Sequence, residues 1–254
     1  MRVLRHISYA VATMVGLIAC GTPELVTETI ESSRSTAYKD GGRDSLMMEI
    51  MLEWPVKGLP PVSLQNMQKD LSAAIFGKEY ATTDIAAAVS EYCKREEEEY
   101  RQNMDSFLAI SGNDMNASGM FSWSEILEGR FLEPYNNLQS YRIYTYGYTG
   151  GAHGMDSEKG FTFSLSDGKR ITEAELFRRE YKPELSRLLT EHLKQAVSKE
   201  TYDMLFIKTL EPNENFYLDP EGITYIYGRY EIGPYVSGIV RVTVPWEELE
   251  GLMR

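Results

Sequence analysis

The chain of 254 residues contains two cysteines, Cys20 and Cys93, and three histidines, His6, His153 and His192. So few cysteines exclude a disulfide-stapled scaffold and a multi-cysteine zinc module. The histidines stand at no metal-ligand spacing and no HExxH occurs, so neither a metal nor any other cofactor is expected. The G-x-S-x-G elbow of serine hydrolases and the phosphate-cradling P-loop are missing too. Basic residues are scarce relative to acids, 26 against 38, and the formal charge of −12 has the wrong sign for nucleic acid or for adhesion to anionic lipid. What is present is ordinary for a folded protein: 43% hydrophobic, 25% charged and 11% aromatic residues. The length allows one large domain or two small ones.

The N-terminus reads as an address. Arg2 and Arg5 precede an uncharged apolar run, Ile7 to Ala19, of 13 residues. That is short of the roughly 20 residues a membrane-spanning helix needs, and it has the layout of an export signal. Leu17-Ile18-Ala19-Cys20-Gly21 resembles a bacterial lipobox. The resemblance implies cleavage after residue 19 and lipidation of Cys20, leaving a mature chain of charge −14 held on the exported side of a membrane in the cell envelope (the outer membrane or cell surface in a diderm). Several acyl chains suffice for stable anchoring. Cys93 is then a single thiol without a partner, and its place on an apolar helix stripe marks it as an inert core residue.

Residues 20–44 are polar and aperiodic beyond the cysteine and are read as a flexible tether. From Leu46 to Trp54 apolar residues alternate with polar ones, the period of a half-buried strand. Ser63 is the expected cap of a helix carrying Leu64, Met67, Leu71 and Ile75, which Gly77 ends. A longer helix follows Thr83, with Ile85, Val89, Cys93, Tyr100, Met104 and Phe107 on one side. Its run Glu96 to Glu99 reads as a solvated face. Strand patterns span Met120–Leu132, Tyr141–Tyr148 and Gly160–Leu165, with a turn at Gly151 to Gly154. Thr172 and Glu175 form a capping box. Pro183 opens a helix with Leu185, Leu188, Leu189 and Leu193 as its apolar face, and His192 at the edge of that stripe. Asn215–Leu218 and Ile223–Tyr227 flank the hairpin turn Asp219-Pro220-Glu221-Gly222, and Val240, Val242 and Val244 form a last strand before a short terminal helix. Without regular β-α-β alternation the class is α+β. The expected architecture is antiparallel sheets with helices packed on one face, in two sequential subdomains, 45–155 and 156–254.

Two segments carry a family resemblance. One is Tyr146-Gly147-Tyr148-Thr149-Gly150-Gly151-Ala152-His153-Gly154. The other runs from Asn215-Phe216-Tyr217-Leu218 through Tyr230-Glu231-Ile232-Gly233-Pro234-Tyr235-Val236-Ser237-Gly238 to Val244-Pro245-Trp246. Together they resemble the paired PdaC/SigV-like domains of unknown function. Such domains form the extracellular part of lysozyme-sensing SigV anti-sigma factors and precede the catalytic domain of PdaC peptidoglycan deacetylases. The resemblance covers about residues 45–254. It implies a non-catalytic envelope protein whose partner is a basic lysozyme-like protein or peptidoglycan. Neither the sigma-binding segment nor the metal-dependent catalytic domain of those relatives is expected here, and no nucleic acid.

The rival readings are an envelope glycan hydrolase using a carboxylate pair that spacing does not reveal, and a purely structural envelope lipoprotein. As a glycine-bounded aromatic loop, Tyr230 to Gly238 suits recognition. Tyr235 and Pro234 are the expected anchor, Tyr230 flanks them, and Glu231 is placed to meet a basic group. The opposing reading makes these tyrosines lids on a sheet edge. His153 serves either a ligand-contacting loop or a turn in which it bonds nearby backbone. Replacing Cys20 by serine is expected to move the protein out of the membrane fraction or leave residues 1–19 attached. A variant that matures and fractionates like the parent removes the lipoprotein reading.

Overall fold

The computed structural model describes residues 24–39, 44–111 and 121–254. The signal run and Cys20 lie outside the described residues. The chain builds two sheets. The first has five strands in the order β1 (Val26–Ala37), β2 (Ser45–Lys57), β3 (Trp123–Phe131), β4 (Leu138–Tyr148) and β5 (Met155–Ser164). The second has three, β6 (Phe216–Asp219), β7 (Gly222–Tyr227) and β8 (Val240–Pro245). The α+β class holds, in two sequential parts.

In β2 the period-two pattern works as expected. Leu46, Met48, Ile50, Leu52 and Trp54 are buried beneath α1 (Pro61–Phe76) and α2 (Ile85–Ser111), while Met47 and Met51 point to the other face. Met67, Leu71, Cys93 and Tyr100 close this core from the helix side, and burial pushes the Cys93 thiol up. In the second part α4 (Lys182–Ala196) lays Leu185, Leu188, Leu189 and Leu193 on Ile223, Tyr225, Val242 and Val244. The same part includes three short helices, α3 (Glu173–Leu176), α5 (Lys199–Met204) and α6 (Trp246–Leu249). At the start of α3 the Thr172 N–H donates to Glu175 Oε2 at 2.8 Å, as a capping box requires.

Four expectations need correction. Most of the presumed tether is β1, paired antiparallel with β2 from Val26 to Ala37. Its inward residues include Ser32 and Arg34 and its outward ones Thr29, Glu31, Ser33 and Ser35, so polarity does not alternate. Edge strands tolerate this because only one of their sides is paired. Second, β2 and β3 run parallel, because α1 and α2 together carry the chain back across one face before β3 begins. Third, the boundary at 155/156 falls inside the first sheet. The glycine-rich turn is the β4–β5 hairpin, and β5 runs on to Ser164. Fourth, α1 starts from Pro60, and Ser63 instead donates its hydroxyl to the Ser166 carbonyl at 2.8 Å, tying α1 to the turn after β5.

The second sheet stands on the helix-free face of the first. The Leu218 N–H donates to Ser140 Oγ at 2.8 Å, and Asn215 spans the junction. Asn215 accepts from the Gly160 N–H at 2.9 Å and donates to the carbonyls of Glu158 and Ile226 at 3.1 and 3.2 Å. Its amide thus satisfies β5 as a neighbouring strand would. A Cβ on Gly160 would lie 2.3 Å from the Phe216 carbonyl oxygen, a backbone atom that cannot swing aside. Gly160→Ala is therefore expected to cost about 1–3 kcal/mol in urea unfolding, as overpacking does. Gly147→Ala, where nothing lies within 4 Å of the added carbon, is expected to stay within about 0.5 kcal/mol of the parent. Equal effects would refute the close-approach account.

Candidate functional site

The two segments singled out in the sequence, about 80 residues apart, meet where the second sheet joins the first. Gly150 and Gly151, with φ of 95° and 94°, reverse the chain after β4 in a conformation side-chain-bearing residues avoid. The Tyr148 hydroxyl donates to the Gly151 carbonyl at 3.0 Å. The reversal presents His153 to the second segment. The His153 ring stacks on Tyr235, centroids 3.9 Å apart and planes 26° apart, with Nδ1 3.1 Å from the Gly154 carbonyl.

Tyr235 is clamped. Its hydroxyl donates to the Gly154 carbonyl at 2.8 Å, and the Arg229 guanidinium lies 4.2 Å from its ring centroid. Arg229 also donates to the Tyr235 carbonyl at 2.5 Å and grips Asp156 with two nitrogens, Nη2 at 3.0 Å from Oδ2 and Nε on Oδ1. Hydrogen bonding to Asp156 holds the Arg229 pKa above its ordinary value. Two residues along β5, buried Glu158 receives a second fork from Arg241, with Nε 2.7 Å from Oε1.

The loop is rigid at its other end as well. Tyr230 sits at φ 64°, and Glu231 stabilises that reversal. Glu231 Oε2 accepts the Gly228 N–H at 2.6 Å while Oε1 accepts from Asn213 at 3.0 Å. Both oxygens are thus engaged within the chain. The structure gives Tyr235 and Glu231 the work of shaping the loop, with Pro234 half-buried beside them, and leaves Tyr230 outward, 52% exposed.

An adjoining loop widens this outward surface. The Phe206 and Ile207 N–H groups both donate to the Ile232 carbonyl, at 2.9 and 3.1 Å. Phe206 is 68% exposed and Val236 70% exposed, with Ile207 and Met204 also largely open. Tyr230 and Val236 thus lie on one loop and Phe206 and Ile207 on another, joined to it by main-chain hydrogen bonds to Ile232, with Met204 at the end of α5 just before the second. Sequence reasoning missed Asp156, Arg229 and Phe206. Arg229 immediately precedes the quoted motif, but nothing local marks Asp156, 73 residues away, as its partner. His192 fits its edge-of-core assignment, with Nε2 3.0 Å from Glu248 Oε1. Among the described residues no group of three or more His, Cys, Asp or Glu is placed to hold a metal, and no helix is long and apolar enough to cross a membrane.

Comparison with known proteins places this architecture. Residues 174–247 match DUF3298, a protein family of unknown function. The match takes in α4, the second sheet and the Tyr230–Gly238 loop. A crystal structure of a DUF3298 family member from Bacteroides fragilis is similar over 92% of this chain and 95% of its own, with 28% identity and a TM-score of 0.81. A DUF3298 family protein from Pseudomonas aeruginosa shares the fold at 17% identity and a TM-score of 0.61, covering 91% of this chain and 95% of its own. No curated protein matches the chain.

The half-buried Arg229–Asp156 fork is expected to hold the two segments together. A double-mutant cycle with Arg229→Ala and Asp156→Ala should give a coupling of about 1.5–3 kcal/mol, the range of charge-assisted hydrogen bonds. The exposed Arg187–Glu184 pair should give a much smaller coupling, because solvent screens it. Coupling at the fork no larger than at that surface pair would remove its role as the clamp.

Proposed function

We propose that this protein is a non-catalytic binding protein of the bacterial cell envelope, exported and held by lipid on Cys20, and that its partner is a basic protein of the lysozyme type. The observation carrying this reading is the outward surface of Tyr230, Val236, Phe206 and Ile207 on loops that are already hydrogen-bonded into shape. Large exposed apolar side chains on loops joined in this way suit an interaction site, and a preformed loop loses little freedom on binding. A surface of aromatic and aliphatic side chains suits a protein partner. The mature charge of −14 would speed encounter with a basic one. The PdaC/SigV-like resemblance supports the same partner, and its deacetylase context makes peptidoglycan the second ligand to measure.

Binding of the mature chain to lysozyme and to purified peptidoglycan, compared with a Tyr230→Ala/Phe206→Ala variant, tests this. The expected result is saturable lysozyme binding that weakens at least tenfold, about 1.4 kcal/mol, in the variant. True hot-spot residues cost about 2 kcal/mol each. The melting temperature should barely move, because both side chains are exposed. Parent protein that binds neither ligand, or a variant that binds as well as the parent, overturns the reading.

A further inference from the structure

The second sheet packs on the helix-free face of the first at β4 and β5. Over β1 to β3 no other described element covers that face, and it contains a pocket of about 280 Å³ whose walls include Met51, Glu53, Glu128, Arg130, Arg142 and Tyr144. The charges there are arranged against one another. Arg130 and Arg142 stand directly opposite in the β3–β4 register, so their side chains leave the same face of the sheet as direct cross-strand neighbours. Like charges so placed repel.

The opposition is only partly relieved. Arg142 approaches Glu158 at 3.8 Å, but the Arg241 fork already engages that carboxylate. Among the described residues Arg130 makes no ion pair, and neither does Glu128, two residues before it on the same face. Glu53 accepts the Phe131 N–H with one oxygen at 2.7 Å and keeps the other. The pocket thus carries two cationic and two anionic groups, none paired with another inside it, between the apolar walls of Met51 and Tyr144. Two guanidinium forks suit a carboxylate, and the two glutamates suit an ammonium group.

We propose that this pocket binds a small zwitterion, a free amino acid or short peptide, with its carboxylate on Arg130 and Arg142 and its ammonium on Glu53 and Glu128. The site is separate from the aromatic loops and does not depend on their having a protein partner. Titration calorimetry of the mature chain with alanine, dialanine and trialanine tests it, with the N-acetyl and C-amide forms of each as controls. At least one of the three is expected to bind with a Kd near or below about 1 mM, and each cap should weaken binding at least tenfold. Arg130→Gln should abolish binding while the melting temperature without ligand stays level or rises, because one of two facing charges is gone. Glu128→Gln should narrow the gap between free and N-acetylated ligand. The proposal fails if no zwitterion binds at about 10 mM, if capped forms bind as well as free ones, or if Arg130→Gln binds normally.

Discussion

Three alternate residues of one strand hold the two parts of this protein together. Asp156, Glu158 and Gly160 all face away from α1 and α2, and the second part meets each of them differently. Asp156 takes the Arg229 fork, Glu158 takes Arg241, and Gly160 admits the Phe216 backbone and the Asn215 amide. The middle contact is the costly one. Moving a carboxylate out of water costs several kcal/mol even after relaxation, and only close, well-directed partners offset it. Glu158 is almost fully enclosed, and hydrogen bonding to it keeps the Arg241 pKa raised. Such a pair adds little net stability compared with an apolar contact, but it penalises any other register. A shift of β5 by one residue would bury Lys159 or Ser157 where Glu158 now meets its arginine.

That registration builds the outward surface. The β4–β5 hairpin supplies His153 and the Gly154 carbonyl, and the second part supplies Tyr235 and Arg229, so neither segment has the geometry alone. Trp246 adds a further tie, stacking on Tyr135 at 4.0 Å while its Nε1–H donates to the Asp219 carbonyl at 2.8 Å. It links the β6–β7 turn to the loop before β4. The exposed aromatic and aliphatic residues are therefore displayed on a scaffold whose internal polar groups are largely satisfied. That accounts for a loop with a left-handed tyrosine at Tyr230, a conformation costly for a bulky residue unless its surroundings hold it.

Elements with a strong contrast between their faces were legible in the sequence. β2, α2 and α4 each bury a stripe of large apolar residues, and the period alone reveals them. β1 was hidden because its inward side carries Ser32 and Arg34 beside Ile30, too little apolar contrast to show a period; only its pairing with β2 makes it a strand. The parallel β2–β3 pairing was hidden because strand direction follows from where two helices return the chain, not from any local pattern. The candidate segments were legible by their glycine and tyrosine content, but not the division of labour within them. Tyr230 and Tyr235 are chemically alike, and which one faces water depends on a guanidinium and a carbonyl brought in from elsewhere. Glu231 illustrates the same limit, since an acid beside a loop glycine reads equally well as a docking charge or as the turn's own hydrogen-bond acceptor.

The helix-free face of the first sheet shows how differently one surface can be used along its width. Over β5 each acidic residue meets an arginine of the second part, and the charge is consumed in holding the fold. Across β3 and β4 the register brings Arg130 opposite Arg142 and Glu128 opposite Tyr144, and no carboxylate neutralises Arg130 among the described residues. An arginine facing another arginine contributes nothing to fold stability. Facing guanidinium groups beside unpaired carboxylates are instead an arrangement that a ligand of both charges completes. The covered half of the face is organised to hold the protein's own second sheet, and the other half is organised to meet something else.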